Sequence, residues 1–141
     1  MLDIGIVIPE LVKYGGAERF LIECVARWQE KHSITIYSTR FAEPVLREHG
    51  VSADVRLREL STGFDGPQAM LLDGTLLPKI WQREIGRHDV YNAHLWPTHL
   101  VDVHPMVWFP HEPLRAIGDL RHNQPSGAAH VGRSNSRFAS C

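Results

Sequence analysis

Three polar clusters in this chain each follow directly on an apolar run. Gly15 and Gly16 come after "DIGIVIP" (3–9), His94 and Trp96 stand at the end of and just past "DVYNAHL" (89–95), and His111 with Glu112 follows "PMVWFP" (105–110). A glycine pair that opens a helix presents free backbone N–H groups and the positive end of the helix dipole, with no Cβ to hold a phosphate or a sugar away. The same dipeptide is equally a tight strand-to-helix turn, and taken alone it favours the turn. An imidazole at position 111, restrained by the following Glu112–Pro113, could hydrogen-bond a sugar hydroxyl or polarise a reacting group. Core and pocket readings both stand for Trp96, whose ring could line a site for a sugar or a lipid-linked acceptor.

Other chemistries find little support. "YGGAER" (14–19) lacks the G-x-G-x-x-G spacing of a dinucleotide fingerprint, and no Gly-Lys-Ser/Thr follows. That disfavours both P-loop nucleotide hydrolysis and a nucleotide-dependent oxidoreductase or epimerase. His94, His99, His104 and His111 come with no H-E-x-x-H and no cysteine cluster, so no metal site is expected. His99 and His104 read as solvated loop histidines. Trp108 and Phe109 have a core reading, one toward each side of their strand.

These groups meet only if the fold gathers them. "DIGIVIP" is apolar without alternation, as a central strand buried on both faces requires. From Gly16 the period changes. Ala17, Phe20, Leu21, Cys24, Val25 and Trp28 mark one face of a helix, with Glu18, Arg19, Glu23 and Arg27 on its polar side. A second strand is predicted over 33–39, a short helix over 43–50 stopped by Gly50, and an edge strand over 54–60. Residues 68–87 read as helix interrupted near Gly74 and Pro78. Strands follow at 89–95 and 105–110; a last one at 128–136 leads into "SRFASC", where Ser134, Asn135 and Ser136 are helix-cap candidates and Arg133 and Arg137 read as solvated. The segment 112–127 has no sustained period. Strands alternating with helices predict one α/β domain over 1–141, with a Rossmann-like three-layer build and a mostly parallel sheet. In such a sheet ligands bind beyond the carboxyl ends of the strands, which is where all three clusters fall.

Composition narrows the class further. The 141 residues carry a formal net charge of −1 and 43% apolar residues. Nothing in that balance points to nucleic acid or an anionic membrane through bulk charge. Two cysteines, Cys24 and Cys141, make no disulfide scaffold, and Cys24 falls on the predicted buried helix face. A cytosolic domain is the expectation, with peripheral contact at the inner membrane face considered.

Together the segments "IGIVIPELVKYGGAERFLIECVARW", "HDVYNAHLWPTHL", "VWFPHEPLR" and "SNSRFAS" resemble the N-terminal domain of family 4 glycosyltransferases of the GT-B fold. The resemblance covers residues 3–60 and 88–140 in outline. It implies a retaining, metal-independent transfer of a sugar from a nucleotide-sugar to an acceptor. Gly15 and Gly16 would lie near the donor diphosphate and His111 at the reacting sugar as the catalytic histidine. His94, Trp96 and Glu112 would serve substrate binding. The Gly-Gly-Ala-Glu-Arg variant gives GDP-mannose a slight edge among donors, and no separate cofactor is implied.

In that family a second domain holds most of the nucleotide-sugar through basic residues and a Glu-x7-Glu motif. No such segment occurs in these 141 residues, so the chain is expected to be inactive alone and to pair with a separate C-terminal domain chain. The alternative expectation is a non-catalytic Rossmann-like binding or interaction module that forms a homo-oligomer or pairs with a partner.

Overall fold

The computed structural model describes residues 1–111. Five parallel strands form one sheet in the order β3-β2-β1-β4-β5. They are β1 (Asp3–Val7), β2 (Ser33–Ser38), β3 (Arg56–Glu59), β4 (Val90–His94) and β5 (Met106–Phe109). The crossovers are α1 (Gly16–Trp28) between β1 and β2, α2 (Glu43–Glu48) between β2 and β3, and the pair α3 (Ala69–Thr75) and α4 (Leu77–Glu84) between β3 and β4. A 3-10 turn at Thr98–Leu100 precedes β5. Parallel neighbours need such crossovers, and burial on both faces explains the unbroken apolar run of β1. This is the expected Rossmann-like three-layer α/β architecture. The helical stretch 68–87 does divide, at Leu76, with Pro78 in the first turn of α4. Gly50 closes α2 with a left-handed φ of +91°.

Each face of the sheet carries its own core. Ile4, Ile6, Ile8, Ile34 and Ile36 pack under Leu21, Ile22 and Val25 of α1 and Leu46 of α2. On the other face Val7, Tyr37 and Tyr91 meet Leu77, Trp81 and Ile85. The chain order leaves β1 outward on both sides, toward β2 and toward β4. The crevice between the carboxyl ends of β1 and β4 is therefore the switch point where Rossmann-like sheets hold ligands.

Some sequence expectations are corrected. Cys24 is only partly buried, although that burial still raises its thiol pKa. Trp108 is 43% exposed and Phe109 half-buried, because β5 is the edge strand among the described residues. His99 is not solvated: its ring stacks on Trp108 at 4.2 Å between centroids, and burial lowers its pKa. His104 does stand in solvent, 3.1 Å from Asp102. The expected strand at 128–136 and its cap residues lie outside the described residues.

Candidate functional site

The segment between β1 and α1 is held before any ligand arrives. Ile8 N–H donates to the Tyr37 carbonyl, Leu11 N–H to Arg40, and Ala42 N–H to Leu11. These bonds extend the β1–β2 pairing past the strand ends and fix where Gly15 stands. Gly15 is the N-cap of α1 and offers no side-chain cap, so the first amides of the helix lack an intrahelical partner. No atom lies within 4 Å of where a Cβ on Gly16 would stand. At Gly15 that position is 3.3 Å from Glu18 Oε2, so a carboxylate sits at the helix start. The space over the glycines is therefore open at Gly16 and acidic at Gly15.

Across the switch point stands a hydrogen-bonded line of three side chains. Asn92 and His94 alternate onto the α1 face of β4. Asn92 Oδ1 accepts from His94 Nε2, and His94 Nδ1 is 2.7 Å from His111 Nε2. His94 is fully buried. Burial, and then the neighbouring His111 ring, push its pKa down to about 3, so it is neutral at ordinary pH. His111 is exposed, and its pKa is lowered by partial burial against an opposing pull from Glu18. Aromatic rings frame the pair. His94 stacks on Phe109 at 5.3 Å, and the Phe20 ring meets His111 edge-on at 5.3 Å.

The backbone is held unusually here. Leu95 has φ 65° and His111 φ 61°, the only non-glycine residues with positive φ among the described residues. Each costs about 1–2 kcal/mol in that region. Both lie just past the ends of β4 and β5, and Leu95 N–H donates to the Phe109 carbonyl at 3.0 Å. The two strained residues thus stand together at the rim, one next to His94 and the other His111 itself.

The fold thus gathers Gly15, Gly16, His94 and His111 at one rim. His94 has no exposed surface, so it reaches a ligand only through His111. Trp96 is half-buried and faces α3, with Cζ2 3.2 Å from the Cβ position of Gly74. Glu112 lies outside the described residues. Sequence reasoning missed three contributors. Phe20 was assigned to the core face of α1 but is 42% exposed beside the histidines. Glu18, on the polar side of that helix, sets its carboxylate at the helix start. Asn92 carried a usable signal: two residues before His94 on one strand, it must share that histidine's face. Among the described residues no group of three His, Cys, Asp or Glu side chains is placed to hold a metal ion, and no helix is long and apolar enough to cross a membrane. Comparison with protein-family models, curated proteins and solved structures finds no match to this chain, so the chemistry of the rim is read from its geometry alone.

Proposed function

We propose that this rim is the acceptor-side half of a retaining glycosyltransferase site. It would take the sugar of a nucleotide-sugar, GDP-mannose first among candidates, and a sugar or lipid-linked acceptor. The observation that carries the reading is the aimed His111 imidazole, hydrogen-bonded to a buried neutral partner and facing the glycine-opened start of α1. Departing diphosphate charge would be met by the free amides at Gly16, while His111 orients a sugar hydroxyl. The reading is tested by titrating the chain with GDP-mannose and UDP-glucose, watching the backbone amides of Gly15–Ala17 and the His111 ring by NMR. Shifts in both groups that vanish in His111→Ala support it. Transfer should appear only when a chain supplying the Glu-x7-Glu domain is added; robust turnover by this chain alone would overturn the half-site assignment.

A second reading has its own observation. Val107 and Trp108 are 50% and 43% exposed on β5, the edge strand among the described residues. Beside them an apolar groove of about 260 Å³ is lined by Ile4, Trp28, Val90, Val107 and Phe109 among others. An interaction module that self-associates through this edge fits that surface. Concentration-dependent sedimentation separates the two, since a strict monomer that binds GDP-mannose leaves only the first.

A further inference from the structure

The line Asn92–His94–His111 has a direction. A carbonyl oxygen cannot donate, so Asn92 Oδ1 requires the proton of His94 to be on Nε2. Neutral His94 then has a lone pair on Nδ1, and the 2.7 Å contact requires His111 to place its own proton on Nε2. The remaining nitrogen, His111 Nδ1, is left bare, and it has no hydrogen-bond partner among the described residues. Were the same amide turned to present its Nδ2–H2 to His94, every proton in the line would reverse and His111 would present an N–H.

We propose that Asn92 is the positioning residue that makes His111 a hydrogen-bond acceptor toward the site, so that the ligand group it receives is a hydrogen-bond donor. The Glu18 carboxylate, close enough to act on the His111 charge, is a second acceptor at the same place. Two acceptors on one rim favour a ligand rich in donors, such as a polyol face of a sugar. His94 is the neutral link, kept so by burial. The inference deepens the proposed function and rests on it for the identity of the ligand, but the proton arrangement belongs to the free protein.

The experiment is long-range 1H–15N correlation of the histidine rings in the full chain without ligand, at pH 8. His94 and His111 should both show protonated Nε2 and bare Nδ1; a protonated Nδ1 on either ring overturns the proposal. In Asn92→Leu the buried Nε2–H of His94 loses its acceptor, and the line should reverse so that His111 Nδ1 becomes protonated. In Asn92→Asp, whose carboxylate can only accept, the wild-type pattern should persist. An unchanged His111 tautomer in Asn92→Leu removes Asn92 from the role, and the wild-type spectrum decides the matter even where a variant fails to fold. GDP-mannose is then added. Binding about tenfold weaker in Asn92→Leu than in wild type supports the ligand assignment. The stated tautomers with no GDP-mannose response uphold the proton line and sink the transferase reading.

Discussion

Strand β4 has a histidine at each end, and the two are built for different work. His88 precedes the strand at the amino edge of the sheet, and its side chain is 5% exposed. Its Nε2 is 2.9 Å from the Tyr37 hydroxyl and its Nδ1 3.0 Å from Asp3 Oδ2, a close contact without hydrogen-bond alignment. Tyr91 closes the cluster by donating to the Gly86 carbonyl while accepting from the His88 amide. Gly5 is glycine because His88 lies across it: a Cβ there would fall 2.5 Å from the imidazole Cδ2. Every polar group in that cluster faces another group of the same domain. At the carboxyl edge His94 is buried as deeply, but its hydrogen bonds lead outward to His111, on strained backbone, whose other ring nitrogen has no partner among the described residues. A buried histidine that closes on itself holds a fold together; one whose hydrogen bonds reach an open end can serve a ligand.

The contrast can be broken from either end. The largest effect is expected from Gly5→Ala, which overpacks the closed cluster and should cost about 3 kcal/mol in urea unfolding. GDP-mannose binding by the folded fraction should be unchanged. Next comes acidification. His94 has a folded pKa of about 3, below its ordinary 6.5, so the unfolded chain takes up the proton first. Stability is then full above pH 6.5 and falls as the pH drops from there toward 3, by about 2 kcal/mol between pH 7 and 5. The lowered pKa values of His99 and His111 act with the same sign. Unfolding curves across that range check the slope, and His94→Gln should flatten most of it.

A smaller effect, but one that separates stability from function, is expected at the strained end of the line. Glycine adopts φ 61° without penalty, so His111→Gly should leave stability unchanged or raise it by up to about 1 kcal/mol, while ligand-induced shifts at Gly15–Ala17 disappear. Loss of both stability and binding would mean that His111 is a packing residue like His88. The smallest change is Asp3→Asn. Asp3 is partly exposed and its pair with Arg56 spans 3.2 Å, so under about 1 kcal/mol should be lost, with no effect on binding.

Much of this arrangement is legible from residue order. The period change at Gly16 marks β1 and α1, the unbroken apolar run of β1 marks a strand buried on both sides, and Gly50 marks the end of α2. Those signals are local: a strand or helix must show its burial in its own spacing. The position of Gly15, Gly16, His94 and His111 at strand ends follows from the same reading, because a parallel sheet collects such ends on one rim.

What only the tertiary structure decided are the registers and contacts between separate elements. That His94 and His111 share a hydrogen bond depends on the register of β4 against β5, with His94 opposite Phe109. That Phe20 frames the pair instead of filling the core depends on how α1 lies against the histidines, and the exposure of Trp108 goes with β5 being the edge strand among the described residues. Spacing along the chain specifies which face a side chain takes. It does not specify the register against the strand opposite, and here that register made a strand-end histidine the buried inner member of a line whose outer member, His111, is exposed.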